Sequence, residues 1–325
     1  MPRRYLYVMD PIASIDPTKD TTFDFMLESQ ARGVSNWICG VEDLVTRGGR
    51  GFALAREARV ERPGEPGGPH HETGPLQEFP FDDFQVIWMR KDPPVDDGFL
   101  QATMLLDRYS PASTLMMNEP ASLRIANEKL FGLFAPELFP YTAISSRVDI
   151  LVAEVEKLGK AVIKPLNLAG GAGVMVFDRG DRNLRAALDL LTLEGRRPAI
   201  VQEFLPAVRE GDKRVILLGG DPIGAVVRVP SAGDHRANMH VGGVAARGII
   251  NERDREIAAR LKPALLKFGL YFVGLDVIGD KLTEINVTSP TGVQEIDALD
   301  ERQGSERMSA KVMDYVEQLL TERGI

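Results

Sequence analysis

The sequence predicts a mixed protein of α/β and α+β class, an open α/β domain followed by smaller α+β units. Three observations predict it. The first 38 residues run as a short apolar stretch, a segment with helical spacing and a second apolar stretch, which is the β-loop-α-β start of an open sheet. From 140 onward, short apolar runs and helical segments follow one another in a less regular order. The 325 residues leave room for roughly two or three separate cores.

Composition excludes several functions. With 44% hydrophobic and 26% charged residues the balance is that of an ordinary soluble globular chain. Thirty-nine Lys and Arg against 47 Asp and Glu give a net charge of −8. That leaves no electrostatic footprint for nucleic acid or an anionic membrane, so anionic ligands must meet local basic clusters. The single cysteine, Cys39, rules out an internal disulfide and a thiolate metal cage, and its place after an apolar run reads as a buried strand end. No apolar run approaches the roughly 18 residues of a membrane span. Arg3-Arg4 leads into a strand and not a signal peptide, so the expected compartment is the cytoplasm.

In order, residues 5–9 read as a buried strand ending at Asp10-Pro11. Asp20 caps a helix in which Phe23, Met26, Leu27 and Ala31 fall at helical spacing, with Gly33 at its end. Residues 34–38 form the next strand. Ligands of open α/β sheets gather at the carboxyl ends of strands, where Asp10 stands, with Lys19 in the loop beyond. The Pro, Gly and His-rich stretch 61–75 reads as a solvated loop, and His70-His71 as part of it and not a metal site. A strand over 85–89 ends in Arg90-Lys91-Asp92-Pro93-Pro94, where two cations held by prolines fit either an anion site or a charged loop. A helix over 96–108, a strand over 115–118 and a helix from about 122 to 134 follow.

Residues 140–206 read as a small α+β unit. It holds a strand at 141, a helix over 148–158 capped by Ser145 or Ser146, strands over 161–164 and 174–177, a helix over 184–193 and a strand over 199–203. Between its middle strands lies the loop Asn167-Leu168-Ala169-Gly170-Gly171-Ala172-Gly173. A glycine loop between two strands lacks the helix that Rossmann and Walker loops require, but it can fold over phosphates as a flap and offer backbone N–H groups. Further on, Gly211-Asp212-Lys213-Arg214 leads a strand, Gly219-Gly220-Asp221 turns, and the return strand ends at Arg228. That brings Arg214 and Arg228 to the open end of one hairpin. A polar loop over 230–243, a helix over 254–268 and a terminal helix over 305–320 complete the list of elements.

The densest chemistry lies in 272–291. Two runs rich in Val, Ile and Leu flank Gly279-Asp280-Lys281, the pattern of a β-hairpin. Glu284 and Asn286 share a strand face. A three-residue loop over 279–281 sets Asp276 opposite Glu284, whereas a two-residue loop puts them on opposite faces; the odd loop is the expectation. Two carboxylates and one amide oxygen then make a hard, oxygen-only cluster of the kind Mg²⁺ accepts beside phosphates. The polar outer face of an edge hairpin has the same spacing.

Six segments recur together in one known arrangement. They are Met9-Asp10-Pro11-Ile12-Ala13, Met89-Arg90-Lys91-Asp92-Pro93-Pro94, Asn127-Glu128-Lys129-Leu130-Phe131, Lys164-Pro165-Leu166, Gly211-Asp212-Lys213-Arg214-Val215, and Gly274-Leu275-Asp276 through Thr291. On them the chain resembles the bacterial glutathione synthetases of the ATP-grasp superfamily over 10–295. The resemblance implies a three-domain ATP-grasp fold: an N-terminal α/β substrate-binding domain over 1–123, a central lid over 124–204 and a C-terminal catalytic domain over 205–325. It implies a ligase that uses ATP to join γ-glutamylcysteine to glycine through an acyl phosphate, releasing ADP and phosphate. By position, Lys129 and Lys164 match lysines on the ATP phosphates, and Glu203, Phe204 and Leu205 match the hinge beside adenine. Gly170, Gly171, Gln202 and Lys213 complete the implied ATP site. Asp276, Glu284 and Asn286 match Mg²⁺ ligands, a site that Mn²⁺ also fits. Arg214 and Arg228 match catalytic arginines. Asp10, Lys19, Arg90, Arg236, Asn238, Gly242, Gly243, Ser289, Pro290 and Thr291 match positions lining the substrate site. The resemblance further implies a homotetramer, and no nucleic-acid or membrane partner.

Three departures stand against it. Leu168 replaces a glycine of the family's phosphate flap, Met239-His240 replaces small residues before Gly242-Gly243, and Gln294 stands where the family usually has arginine. They leave open a paralogous ligase with another donor or acceptor, or a non-catalytic ATP-binding regulator. Residues 166–173 and 230–243 are expected to move as lids. Asp276→Asn and Glu284→Gln are expected to abolish turnover and leave the fold intact.

Overall fold

The structure is a computed structural model and describes residues 2–168, 170–229 and 244–325. Three sheets carry it. The first contains β1 (Arg4–Val8), β2 (Ser35–Cys39), β3 (Leu44–Arg47), β4 (Arg50–Val60), β5 (His71–Pro80), β6 (Val86–Met89) and β7 (Leu115–Met117), in the order β3-β4-β2-β1-β6-β7 with β5 paired to β4. Strands β2, β1, β6 and β7 run parallel, so their carboxyl ends share one edge. Helix α1 (Thr21–Ala31) starts where Asp20 Oδ1 accepts the Phe23 N–H at 2.6 Å, and buries Phe23, Phe25 and Met26. Helix α2 (Asp97–Leu106) is capped in the same way by Asp96.

Two expectations fail in this domain. The stretch 61–75 is not a solvated loop throughout, because β5 begins at His71. Among the described residues this strand pairs with β4 alone, and such an edge tolerates Pro75 and Pro80 in sequence that lacks strand propensity. His70 also packs inward, its Nε2 3.0 Å from the Ile12 carbonyl and its ring edge-on to Phe23. The long helix expected over 122–134 is α3 (Pro120–Ile125) followed by turns. Asn127 breaks it, its side-chain oxygen accepting the Lys129 N–H.

The second sheet, in the order β10-β9-β11-β8, is antiparallel: β8 (Thr142–Ser145), β9 (Lys160–Pro165), β10 (Met175–Asp178) and β11 (Ala199–Glu203). Helices α4 (Val148–Leu158) and α5 (Leu184–Thr192) cover it, and neither serine caps α4, whose N-cap is Arg147. The third sheet joins β12 (Asp212–Leu218), β13 (Asp221–Val229), β14 (Val244–Arg247), β15 (Phe272–Ile278) and β16 (Lys281–Asn286) in the order β14-β13-β12-β15-β16. Around it lie α6 (Glu252–Lys267), α7 (Val293–Leu299) and α8 (Met308–Arg323). Two apolar clusters run through the first and third sheets together, joining for example Leu6 and Ile87 to Val273 and Leu275. The second sheet has its own cluster around Leu151, Ile163, Leu188 and Val201.

The register at 276 is as expected, for a different reason. The turn is two residues, Gly279-Asp280, with Ile278 opposite Lys281 and Gly279 at φ +62°. A bulge between Asp276 and Val277 restores parity and sets Asp276 opposite Glu284. Thr283 is the residue left over, and its hydroxyl donates to the Asp276 carbonyl at 3.0 Å.

Helix α7 was not anticipated, and it supplies the cap for α8. Both oxygens of Asp297 accept the Met308 N–H, at 2.9 and 3.1 Å. Burial pushes the Asp297 carboxyl up to about 6. Its neutral form is thus favoured in the fold, and its stabilising contribution is present below the unfolded carboxylate value of about 3.9 and lost as pH rises to about 6. Asp297→Asn removes that slope. Denaturant midpoints should show the variant gaining on the wild type between about pH 4 and about pH 7, and a difference constant with pH would exclude this reading.

Candidate active site

The second and third sheets face each other across a cleft of about 850 Å³ including its mouth. One end is apolar, lined by Val162, Val174, Val176, Leu205, Val208 and Ile278 beside Gln202, Glu203 and Phe204. The other is charged, lined by Lys129, Lys164, Asp212, Asp276 and Glu284 with Gly170 and Gly171 above. An apolar slot closed by cations suits a flat heterocycle carrying phosphates.

The charged end grows out of strand alternation. Cross-strand pairing sets Arg214 opposite Asp276 and Asp212 opposite Arg228. Arg214 grips Asp276 with two bonds, Nε to Oδ1 at 2.7 Å and Nη2 to Oδ2 at 2.8 Å. Arg228 Nη2 lies 3.0 Å from Asp276 Oδ2 and 2.5 Å from Asp212 Oδ2. Burial alone would raise the Asp276 carboxyl, but the two guanidiniums outweigh it and hold it well below the usual carboxylate range. Asp212 is pushed up to about 6 by burial, with Arg228 opposing. Its Oδ1 and the Arg228 Nε are buried with no partner among the described residues, which leaves one acceptor and one donor for a ligand. Gly274 lets Arg214 lie flat, since a Cβ there would come within 3.0 Å of Pro290 and 3.5 Å of the arginine.

Lys129 and Lys164 converge on Glu284, their ammonium groups 3.7 and 3.6 Å from its Oε1. Burial lowers the Lys164 pKa, with Glu284 opposing. Two ammoniums around one carboxylate leave net positive charge beneath the glycine loop. Lys129 also donates to the Leu168 carbonyl at 2.7 Å, which ties that loop to the site.

Several positions expected to line a substrate site lie on neighbouring segments. Asp10 pairs with Lys91 at 2.7 Å and accepts the Asp92 N–H at 3.0 Å, and Ser289 bonds the Asp92 carboxylate. Arg90, 4% exposed, donates to Thr22 Oγ1 and to the Pro290 carbonyl, and its Nη1 is buried without a partner among the described residues. Thr291 is half-buried in the same segment, while Lys19 is exposed, 3.9 Å from Asp16. Asn286 lies on the Glu284 face, its Nδ2 donating to the Gly274 carbonyl at 3.3 Å.

Lys213 is a correction. Between Asp212 and Arg214 on one strand it points to the opposite face, where Nζ lies 2.6 Å from Asp254 Oδ2 on α6. It does not join the cleft. Arg236, Asn238, Gly242 and Gly243, with His240, lie outside the described residues.

Reading the sequence also missed members of the site. Asp212 stands in the segment that was singled out for Arg214, and alternation would have placed it on the same face. Gln294 is not a bare substitute facing substrate: its Nε2 donates to the Pro17 and Asp20 carbonyls, and its Oε1 accepts from Arg62 at 2.9 Å. Arg62 also pairs with the buried Asp24 at 2.7 Å. A long-range partner from a proline-rich loop leaves no local signal.

Comparison with known proteins agrees with this geometry. The family description "Prokaryotic glutathione synthetase, N-terminal domain" matches residues 4–124, and "Prokaryotic glutathione synthetase, ATP-grasp domain" matches 128–301. The glutathione synthetase of Thermosynechococcus vestitus is 44% identical over 316 residues, 95% of this chain and 98% of its own length. That of Yersinia pestis is 43% identical over 292 residues, 90% and 91% of the two chains. Among solved structures, D-cycloserine synthetase superposes with a TM-score of 0.66 at 15% identity, over 97% of this chain and 99% of that one. A RimK domain ATP-grasp protein from Sphaerobacter thermophilus gives 0.60 at 16%, over 96% and 98%. The solved structures show the ATP-grasp fold, and the sequence relatives and both matched domains show that this chain belongs to the prokaryotic glutathione synthetase family.

Proposed function

We propose that this protein is the ligase that joins γ-glutamylcysteine to glycine, converting ATP to ADP and phosphate. The observation that carries the reading is the meeting of Lys129 and Lys164 over Glu284, next to Asp276 with its two arginines, at the closed end of an apolar cleft. Adenine fits between Val162, Val176 and Leu205, with Gln202, Glu203 and Phe204 at its edge, and Gly170 and Gly171 offer N–H groups to the phosphates. A carboxylate is a poor electrophile. It first takes the γ-phosphoryl group, and the acceptor amine then attacks the acyl phosphate and releases phosphate. Catalysis of both steps is alignment and charge neutralisation. In this reading Arg214 and Arg228 stabilise the developing oxyanion, and Asp10, Arg90, Ser289, Pro290 and Thr291 line the donor end, with Lys19 at its rim. We take 1–123, 124–204 and 205–325 as the three domains.

Asp276, Glu284 and Asn286 are the Mg²⁺ ligands of this reading. Their chemistry fits a hard cation: two carboxylates and an amide whose Nδ2 is held by the Gly274 carbonyl, leaving Oδ1 to coordinate. When bound, Mg²⁺ neutralises phosphate charge. Arg62 brings a cation to Gln294, which weakens the case for an altered substrate. A homotetramer in the cytoplasm belongs to the same reading, on the family resemblance; no helix among the described residues is long and apolar enough to cross a membrane.

The test is ADP release from Mg-ATP with γ-glutamylcysteine, comparing glycine with other amino acids and amines, and product mass. Glycine-dependent formation of glutathione is the expected result. Release with a different acceptor only would reject the substrate assignment.

A further inference from the structure

Strand β16 is the edge of its sheet, and its pairing with β15 ends at Asn286 opposite Gly274. The backbone beyond it is nevertheless buried, with Val287 at 0% and Thr288 at 5% exposure. Buried backbone groups need partners, and these come from one short segment at the start of the lid domain. The Glu128 carbonyl accepts the Ile285 N–H at 2.8 Å. A single oxygen of the Glu128 side chain, Oε1, accepts the Val287 N–H at 3.0 Å, the Thr288 N–H at 3.3 Å and the Thr288 hydroxyl at 2.9 Å. On the same run of chain, Asn127 donates to the Leu166 carbonyl at 3.3 Å and Lys129 to the Leu168 carbonyl. Glu128 is therefore the middle of a three-residue junction between the base of the glycine loop, the phosphate lysine and the segment from Asn286 to Ser289.

We propose that Glu128 is a positioning residue for the ligase reaction: its Oε1 holds the backbone of 287–288 so that Asn286 and Ser289 stay in register with Lys129. It acts as an acceptor, not as a charge in the site. The inference rests on the metal and donor assignments above. A displacement of about 1 Å at reacting groups costs about 10²-fold in rate, and loss of a group that orients a metal ligand costs about 10- to 100-fold in metal affinity.

The experiment separates acceptor from charge. Glu128→Gln keeps an oxygen at Oε1 and removes the charge; Glu128→Asp keeps the charge and withdraws the acceptor by one methylene. Each variant, with Glu128→Ala, is assayed for kcat, the KM for ATP, the Mg²⁺ concentration for half-maximal rate, and amide exchange at Val287 and Thr288. The expected result is that Glu128→Asp and Glu128→Ala lose about 10²-fold in kcat, need about tenfold more Mg²⁺, keep the ATP KM, and exchange faster at both amides. Glu128→Gln stays near wild type in all four. The reverse order, with Gln impaired and Asp intact, would overturn the proposal, as would wild-type exchange in Glu128→Ala. Should Glu128→Ala fail to fold, the Asp and Gln pair still decides. If the wild type itself forms no glutathione, the ligase reading fails, and the exchange measurements alone then judge what Glu128 holds.

Discussion

Arg214→Ala is expected to lower kcat by about 10²- to 10³-fold, or about 2.7 to 4 kcal/mol of barrier, by analogy with loss of one oxyanion donor. The structure sharpens the reason. Arg214 is already locked to Asp276 by two bonds and is 8% exposed, so its position is set before substrate arrives and no reorganisation is needed during the reaction. The KM for ATP should change little, because the adenine end of the cleft has no contact with it. Arg214→Lys should recover only part of the loss, since an ammonium is a point charge and cannot reproduce the fork on Asp276. Steady-state ADP release with both substrates saturating gives the number. A folded Arg214→Ala protein that turns over like the wild type would remove Arg214 from the mechanism.

The second large effect divides two residues that the sequence reading treated alike. Asp276→Asn and Glu284→Gln should both abolish Mg²⁺-dependent turnover, yet the first should destabilise the protein more. Asp276 is 3% exposed and balances two buried guanidiniums. Removing its charge leaves Arg214 and Arg228 with Asp212 alone, and breaking a buried pair in this way costs about 3–5 kcal/mol. The Glu284 side chain is 22% exposed and its lysine partners lie beyond 3.5 Å, so Glu284→Gln, which leaves the buried Lys129 and Lys164 without that carboxylate, should destabilise less than Asp276→Asn. Equilibrium unfolding in denaturant, run beside the activity assay, checks both halves. Full activity of Glu284→Gln at ordinary Mg²⁺ would sink the metal assignment, and unchanged stability of Asp276→Asn would sink the charge argument.

Much of the site was legible because it sits on regular strands. Period-two alternation was enough to bring Glu284 and Asn286 to one face, and the hairpin pattern to bring Arg214 near Arg228; Asp276 joined them only on the expectation of a three-residue turn, and the turn is two. The parity itself came from the bulge at Asp276 and Val277, which nothing in the local pattern announces. Lys213 was misplaced although the same alternation, applied between Asp212 and Arg214, turns it away. Strand β5 was invisible because an edge strand need not have strand composition. Arg62 and Glu128 were missed for a different reason: their partners lie 232 and 159 or more residues away, and a carboxylate or guanidinium that meets backbone or amide at such distance has no spacing to betray it. Glu128 did stand inside a segment that carried the family resemblance, but only the lysine beside it has a phosphate role to mark it in sequence.

The apolar cluster of the second sheet is separate from the other two, so its core is not shared with the rest of the molecule. The apolar interior falls into two bodies, one built from the interlocked first and third sheets and one from the four strands around Leu151 and Ile163. The smaller unit can therefore open, or unfold locally, while the larger remains native. Without ligand the two bodies are expected to melt at different temperatures if that opening is frequent. A nucleotide in the cleft touches both units at once, and its binding energy becomes the coupling that makes them melt as one.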